Sequence, residues 1–168
     1  MSRQEKEILR HRGQRILSVV CTFPDLSEEE ILSFYEVLTE KAKGFCREKL
    51  FDSLRDEYDT LGSNKERALF PTGRYVLRFW VTFRNDTLLC ICSEARFCRG
   101  NEILVQSEDS HVWLLPKALL LPPRRVLSHL KLSAPKGARF DRVILRGNQC
   151  LLYADGLLIH SEEIDKKP

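Results

Sequence analysis

The stretch SEEEILSFYEVLTEKAKGFCREKLFDSLRDEYDTL, Ser27 to Leu61, followed by YVLRFWVTF, Tyr75 to Phe83, decides the fold. In the first, Ile31, Tyr35, Leu38, Ala42 and Phe45 recur at helical spacing. Leu50, Leu54, Tyr58 and Leu61 continue the series on a slightly rotated face. Ser27 followed by Glu30 is a capping-box pattern, in which hydroxyl and carboxylate each take an orphan backbone N–H. Gly44 marks a bend, and Gly62-Ser63-Asn64 is a stop signal. In the second stretch Tyr75, Leu77, Phe79, Val81 and Phe83 alternate with Val76, Arg78, Trp80 and Thr82. That period of two predicts a half-buried strand whose inward row includes Leu77, Phe79 and Val81. The expected class is α+β: a mainly antiparallel twisted sheet with one long helix packed on one face.

Working outward, residues 1–13 read as a basic N-terminal segment, helical or frayed. Gln14 to Phe23 reads as a strand that Pro24 ends, and Ser63 to Gly73 as a loop. Arg84 to Thr87 turns the chain into a second strand, Leu88 to Phe97. Glu102 to Gln106 and His111 to Leu115 follow as two separate short strands. Pro116, Pro122 and Pro123 break the next part into loop, with a helical turn or two from Arg124 to Leu130. Asp141 to Leu145, Gln149 to Tyr153 and Leu157 to Ser161 form a meander, because Gly147-Asn148 and Asp155-Gly156 between apolar pairs are hairpin signals. Residues 14–164 are expected to form a single α+β domain, and 165–168 a polar tail.

At 168 residues the chain is expected to be one domain. The apolar share of 43% is ordinary and the charged share of 30% is high. Nine Phe, four Tyr and two Trp supply core bulk, while eight glycines are too few for a Gly-rich phosphate cradle. Net charge is only +3. The charge is uneven, however. Lys117, Arg124, Arg125, Lys131, Lys136, Arg139, Arg142 and Arg146 lie between Pro116 and Arg146 with Asp141 as the acid among them. Such a run suits an acidic partner surface or a nucleic acid. No segment has the apolar length to span a bilayer. Met1 to Arg15 lacks the apolar stretch of a secretory signal. The expectation is a cytoplasmic chain whose six cysteines are reduced thiols.

Taken in order, Ile16-Leu17-Ser18 to Phe23-Pro24, Phe34-Tyr35 through Phe45-Cys46, and Tyr75 to Phe83 form a recognisable succession. Leu88 to Ser93 and Leu152-Tyr153-Ala154-Asp155-Gly156-Leu157-Leu158-Ile159 complete it. The succession resembles the bacterial domain of unknown function in the extracytoplasmic part of lysozyme-sensing anti-sigma factors, which also accompanies some polysaccharide deacetylases. It spans most of Gln14 to Ile164. At Ala95 to Asn101 the chain reads Ala-Arg-Phe-Cys-Arg-Gly-Asn where that family carries Tyr-Thr-Gly-Gly-Ala-His. The resemblance implies a shared fold and a non-catalytic recognition role.

Candidate chemistry is sparse. Cys90, Cys92 and Cys98 form a C-x-C-x5-C cluster, with His111 further along, and zinc needs about four such ligands. C-x-C is not a usual zinc spacing, so no metal and no cofactor is expected. His11, His111, His129 and His160 are scattered, and no nucleophile motif surrounds any serine or cysteine, so an enzyme is not expected. Glu108 and Asp109 read as a loop pair. The residues left for a contact surface are Trp80, which alternates away from the core row, and the basic set Arg124, Arg125, Lys136, Arg139, Arg142 and Arg146. These point to a binding or regulatory domain that recognises a protein or envelope-related ligand through a sheet face and a basic edge. The alternative is a nucleic-acid-associated protein using the 117–146 segment.

Overall fold

The computed structural model describes residues 3–164, so the tail 165–168 and the first two residues of the N-terminal segment lie outside the described residues. In chain order the elements are β1 (Gln4–His11), β2 (Gln14–Thr22), α1 (Glu29–Phe45), α2 (Phe51–Asp59), α3 (Asn64–Ala68), β3 (Gly73–Arg84) and β4 (Leu88–Arg99). Then come β5 (Glu102–Leu114), β6 (Leu119–Leu121), α4 (Pro123–Leu130), β7 (Arg142–Arg146), β8 (Gln149–Ala154) and β9 (Leu157–Glu163). A six-stranded sheet has the order β1-β2-β3-β4-β5-β6, and β7-β8-β9 form a second sheet. The fold is α+β and mainly antiparallel. The exception is β2, which runs parallel to β3, because the helices between them provide the long crossover that a parallel pair needs.

Contacts divide the chain into two compact units, with the boundary inside β3, β4 and β5. The first unit comprises the chain up to Arg78 together with Glu94–Ser107. Its long helix is α1 and α2 joined without a break by a π-helical turn, Cys46–Leu50. Ile31, Tyr35, Thr39, Cys46, Leu54 and Tyr58 are its buried residues. The expected stripe holds at both ends and fails in the middle. Phe45 is 50% exposed and Cys46 fully buried; the inward face has moved on by one residue where the π turn begins. The N-cap also differs from expectation. It is Glu28, without a side-chain cap bond, and the capping box belongs to Ser63 and Glu66 at the start of α3. The 63–73 stretch is therefore partly helical rather than loop.

The N-terminal segment corrects the sequence reading. It is neither helical nor frayed over Gln4–His11 but an edge strand antiparallel to β2. Its charges concealed the alternation: Glu5, Glu7, Leu9 and His11 turn inward, and the helix answers them. Lys43 Nζ donates to Glu5. Arg47 makes a two-point bond to Glu7 through Nε and an Nη nitrogen, both at 2.8 Å. His11 Nε2 lies 2.9 Å from Asp59 and its ring meets Tyr58 edge-on at 5.9 Å.

The second unit, Phe79–Ser93 with the chain from Glu108 onward, has its own core. Leu88, Cys90, Val112, Val126, Leu127, Val143, Leu145, Cys150 and Leu152 cluster there, with Phe83, Leu114 and Phe140 packed against them. Val81 does not join the inward row of β3, being 37% exposed. Residues 102–114 form one strand where two were expected. Ser107 to Ser110 are polar without leaving the extended conformation. Residues 119–121, expected as loop, are β6 on the edge beside β5.

Two outcomes test this packing. A Cβ on Gly73 would sit 2.6 Å from Leu54 Cδ1, 3.1 Å from Phe97 Cε2 and 3.2 Å from Leu17 Cδ1. Gly73→Ala is expected to cost about 1–2 kcal/mol in urea unfolding, and to cost less in a Leu54→Ala background. An unchanged cost would place the clash elsewhere. Separately, the Lys43 hydrogen bond holds the Glu5 carboxyl below its ordinary range against the opposing effect of burial. The His11 hydrogen bond and Arg12 do the same for Asp59. Carboxylates lowered in the folded state contribute stability above their unfolded range and lose it as pH falls through the folded values. Between about pH 7 and about pH 3, urea midpoints should fall more steeply for the parent chain than for Glu5→Gln/Asp59→Asn. Parallel curves would contradict the role of the seam.

Candidate functional site

The candidate contact residues lie in the second unit, most of them around two hollows. The first is built on α4. Pro123 at its first turn sets the entry, and Val126 and Leu127 turn into the core. The helix ends at Lys131 in the left-handed region, and the Leu132 amide donates back to the Leu127 carbonyl at 3.0 Å. That reversal folds residues 132–140 beside the helix. Between them lies a hollow of about 660 Å³ lined by Arg124, Leu127, Ser128, Leu132, Ala134, Pro135, Lys136, Gly137, Ala138, Arg139 and Phe140. Gly137, at φ +79°, supplies the backbone conformation that the turn needs. The floor is apolar, and Arg124, Lys136 and Arg139 are the charges around it. No carboxylate lines it.

The second hollow, about 160 Å³, is lined by Trp80, Thr82, Cys92, Ser93, Glu108, Asp109, Ile144, Arg146, Leu151 and Tyr153. Trp80 is 41% exposed. Arg142 is held at this hollow: its guanidinium lies 4.6 Å over the Tyr153 ring and donates to the Glu108 carbonyl at 2.8 Å. Thr82 Oγ1 lies 3.7 Å from Cys92 Sγ, and the Leu145 amide donates to Cys90 Sγ at 3.4 Å. A hydrogen bond from Cys92 lowers the Cys90 thiol against the opposing effect of burial. The bond it gives to Cys90 and its own burial push Cys92 upward.

The structure thus brings Arg124, Lys136 and Arg139 together at one hollow and Trp80 and Arg146 at the other, where Arg142 is bound to the lining residues Tyr153 and Glu108 without lining the hollow itself. Arg125 is exposed and lines neither. Sequence reasoning missed Tyr153 and the pair Glu108 and Asp109, which sit in β5 rather than a loop. The signal was available in the alternation of β8, where Tyr153 and Leu151 share a face. The metal candidates fare differently. Among the described residues no group of three or more His, Cys, Asp or Glu side chains converges on a metal site. Cys90 and Cys92 are buried, Cys98 is half-buried in the first unit, and burial depresses the His111 ring below its usual value. No helix among the described residues is long and apolar enough to cross a membrane.

No protein-family model matches the chain, and no curated protein does. Among solved structures the chain is similar to a DUF3298-family protein of Bacteroides fragilis. The match covers 90% of this chain and 81% of that chain at 10% identity and a TM-score of 0.56. A DUF3298-family protein of Pseudomonas aeruginosa matches over 98% of this chain and 88% of that chain, at 12% identity and a looser TM-score of 0.47. Both are bacterial proteins, and at 10% identity the likeness to the first is one of fold.

Thiol accessibility tests the local geometry. Burial raises Cys21 and Cys150 to about 11 and Cys46 to about 12, so these thiols lack both exposure and thiolate character. Iodoacetamide labelling of the native protein, read by peptide mass spectrometry, should modify Cys98 ahead of Cys21, Cys46 and Cys150. Early labelling of Cys46 would mean that the helix does not seal it.

Proposed function

We propose that the chain is a non-enzymatic binding and regulatory domain that takes an acidic segment of a protein or envelope-related partner at the hollow beside α4. One observation carries the reading: Arg124, Lys136 and Arg139 surround a single concave surface of about 660 Å³ that has no carboxylate in its lining. Among the described residues none of the three has an ion-pair partner. Unpaired cations around an apolar floor of Leu127, Leu132 and Phe140 suit a partner that brings carboxylates on a partly apolar segment. Trp80, on the second hollow, is a candidate anchor for the same partner.

The motif succession from Gln14 to Ile164 supports kinship with the lysozyme-sensing anti-sigma factor and deacetylase-associated domain. The fold likeness to the Bacteroides DUF3298 protein is in keeping with it. In this reading the chain is a recognition module whose occupancy is passed to another protein. A nucleic-acid role for the 117–146 segment is the competing reading, since the same cations suit phosphates.

Fluorescence anisotropy with a labelled oligoglutamate peptide separates the two. The peptide is expected to bind, and Arg124→Gln/Lys136→Gln/Arg139→Gln to weaken it by about tenfold or more. Trp80→Ala should have a smaller effect. Duplex DNA or RNA binding far more tightly than the peptide, with a steep fall as salt rises, would favour the nucleic-acid reading. Immobilised lysozyme, run in parallel, tests the finer kinship, and absence of capture would count against it.

A further inference from the structure

The first unit carries a second basic feature that the reading above does not use. On its sheet the face opposite the helix presents Lys6 from β1, Arg15 and Ser18 from β2, and Arg74 from β3. Register places Ser18 between Ile8 and Arg74, and Val20 between Lys6 and Val76. Neighbouring strands lie about 4.8 Å apart, so Lys6 and Arg74 flank β2 from either side at roughly 10 Å. Gln4, Lys6, Arg15, Ser18, Val20 and Arg74 line a hollow of about 350 Å³. Its floor is buried: Ser18 is 1% exposed.

The cations here differ from those that brace the helix side of the unit. Arg3, Lys43, Arg47, Arg55, Arg96 and Arg99 are all ion-paired. Lys6, Arg15 and Arg74 have no carboxylate partner among the described residues, and no acid lines their hollow. Arg15 adds a second, independent sign. Its Nε is buried and has no hydrogen-bond partner, while Thr72 Oγ1 bonds its carbonyl at 3.2 Å and fixes its backbone. A buried guanidinium N–H without an acceptor is costly unless something supplies one.

We propose that this hollow binds a small multivalent phosphoryl anion, with Arg15 and Arg74 donating to phosphoryl oxygens and Lys6 supplying the third charge. The planar arginine fork matches tetrahedral oxyanions through paired N–H donors. Three cations on three adjacent strands call for more than one negative charge. Gln4 and Ser18 add neutral polar groups to the lining.

Inorganic pyrophosphate is the probe. Isothermal titration at low ionic strength is expected to give one equivalent bound. Arg15→Gln and Arg74→Gln should each weaken it by about tenfold or more. Arg124→Gln, in the other unit, should leave it unchanged, which separates this site from the hollow beside α4. Amide shifts followed by NMR on the parent chain should concentrate at Lys6, Ser18 and Arg74, a readout independent of how the variants fold. Phosphatidylglycerol vesicles that sediment the chain in an Arg74-dependent way would support the site with a lipid headgroup as the phosphoryl source. Pyrophosphate binding without vesicle binding would support a free anion. Citrate binding as tightly as pyrophosphate, an equal loss in Arg124→Gln, or shifts that avoid these residues would overturn the proposal.

Discussion

The charged pairs between β1 and the long helix govern the first unit. An edge strand that points Glu5, Glu7 and His11 toward a helix can stay there only if the helix returns a matching charge at each position. Lys43, Arg47 and Asp59 do so. Each pair is partly exposed, so its contribution to stability is modest. The consequence for specificity is larger. Moving β1 by one residue would turn the carboxylates outward and bring Lys6 and Arg10 against Lys43 and Arg47. The same inward charges protect a free sheet edge from pairing with another chain. The seam therefore sets register and solubility more than it sets stability.

That arrangement has an electrostatic by-product. The carboxylates of β1 are all drawn to the helix side, and alternation sends Lys6, Ile8 and Arg10 to the other. On β3 Arg74 and Arg78 follow the same rule. One face becomes internally neutralised, while on the opposite face Lys6, Arg15 and Arg74 have no carboxylate partner among the described residues. A basic hollow there needs no separate design; it follows from period-two alternation applied to a strand whose acids are already committed.

The second unit reaches a similar end by another route. The amphipathy of α4 commits Val126 and Leu127 to the core and so forces Arg124, Arg125 and Ser128 outward. The reversal after Lys131 then carries Lys136 and Arg139 back beside Arg124. Much of this was legible in the sequence. The alternation of Tyr75 to Phe83, the turns at Gly147-Asn148 and Asp155-Gly156, and the helix after Pro123 are all where their patterns place them, because local geometry dictates them. What escaped the sequence depends on partners distant in the chain. β1 looked irregular because its inward residues are charged, and they are tolerated only through residues some forty positions away. The series showed a face that rotates from Leu50 onward, but nothing local in it specified a π turn at Cys46. The polar run Ser107 to Ser110 is extended because neighbouring strands hold it, although its composition is that of a loop. The basic set was recognised by sequence proximity, yet only three of its members share a hollow, while Lys6, Arg15 and Arg74 share another without any proximity to announce them.

The thiols of the second unit and its His111 ring are placed away from solvent. A nucleophile needs access together with a base in hydrogen-bond reach. Cys90 is fully buried, and its polar neighbours are Cys92, Thr82 and the Leu145 amide. His111 is depressed by burial and faces Asp109 at 3.8 Å. In the second hollow Arg142 is already occupied by the Tyr153 ring and the Glu108 carbonyl, so it holds the wall in place. Arg124, Lys136 and Arg139, by contrast, surround an open concave surface. Burial thus separates two kinds of charge: the titratable thiols and the His111 imidazole are drawn into the core, while the guanidinium and ammonium groups of α4 and the 132–140 turn stay at the surface.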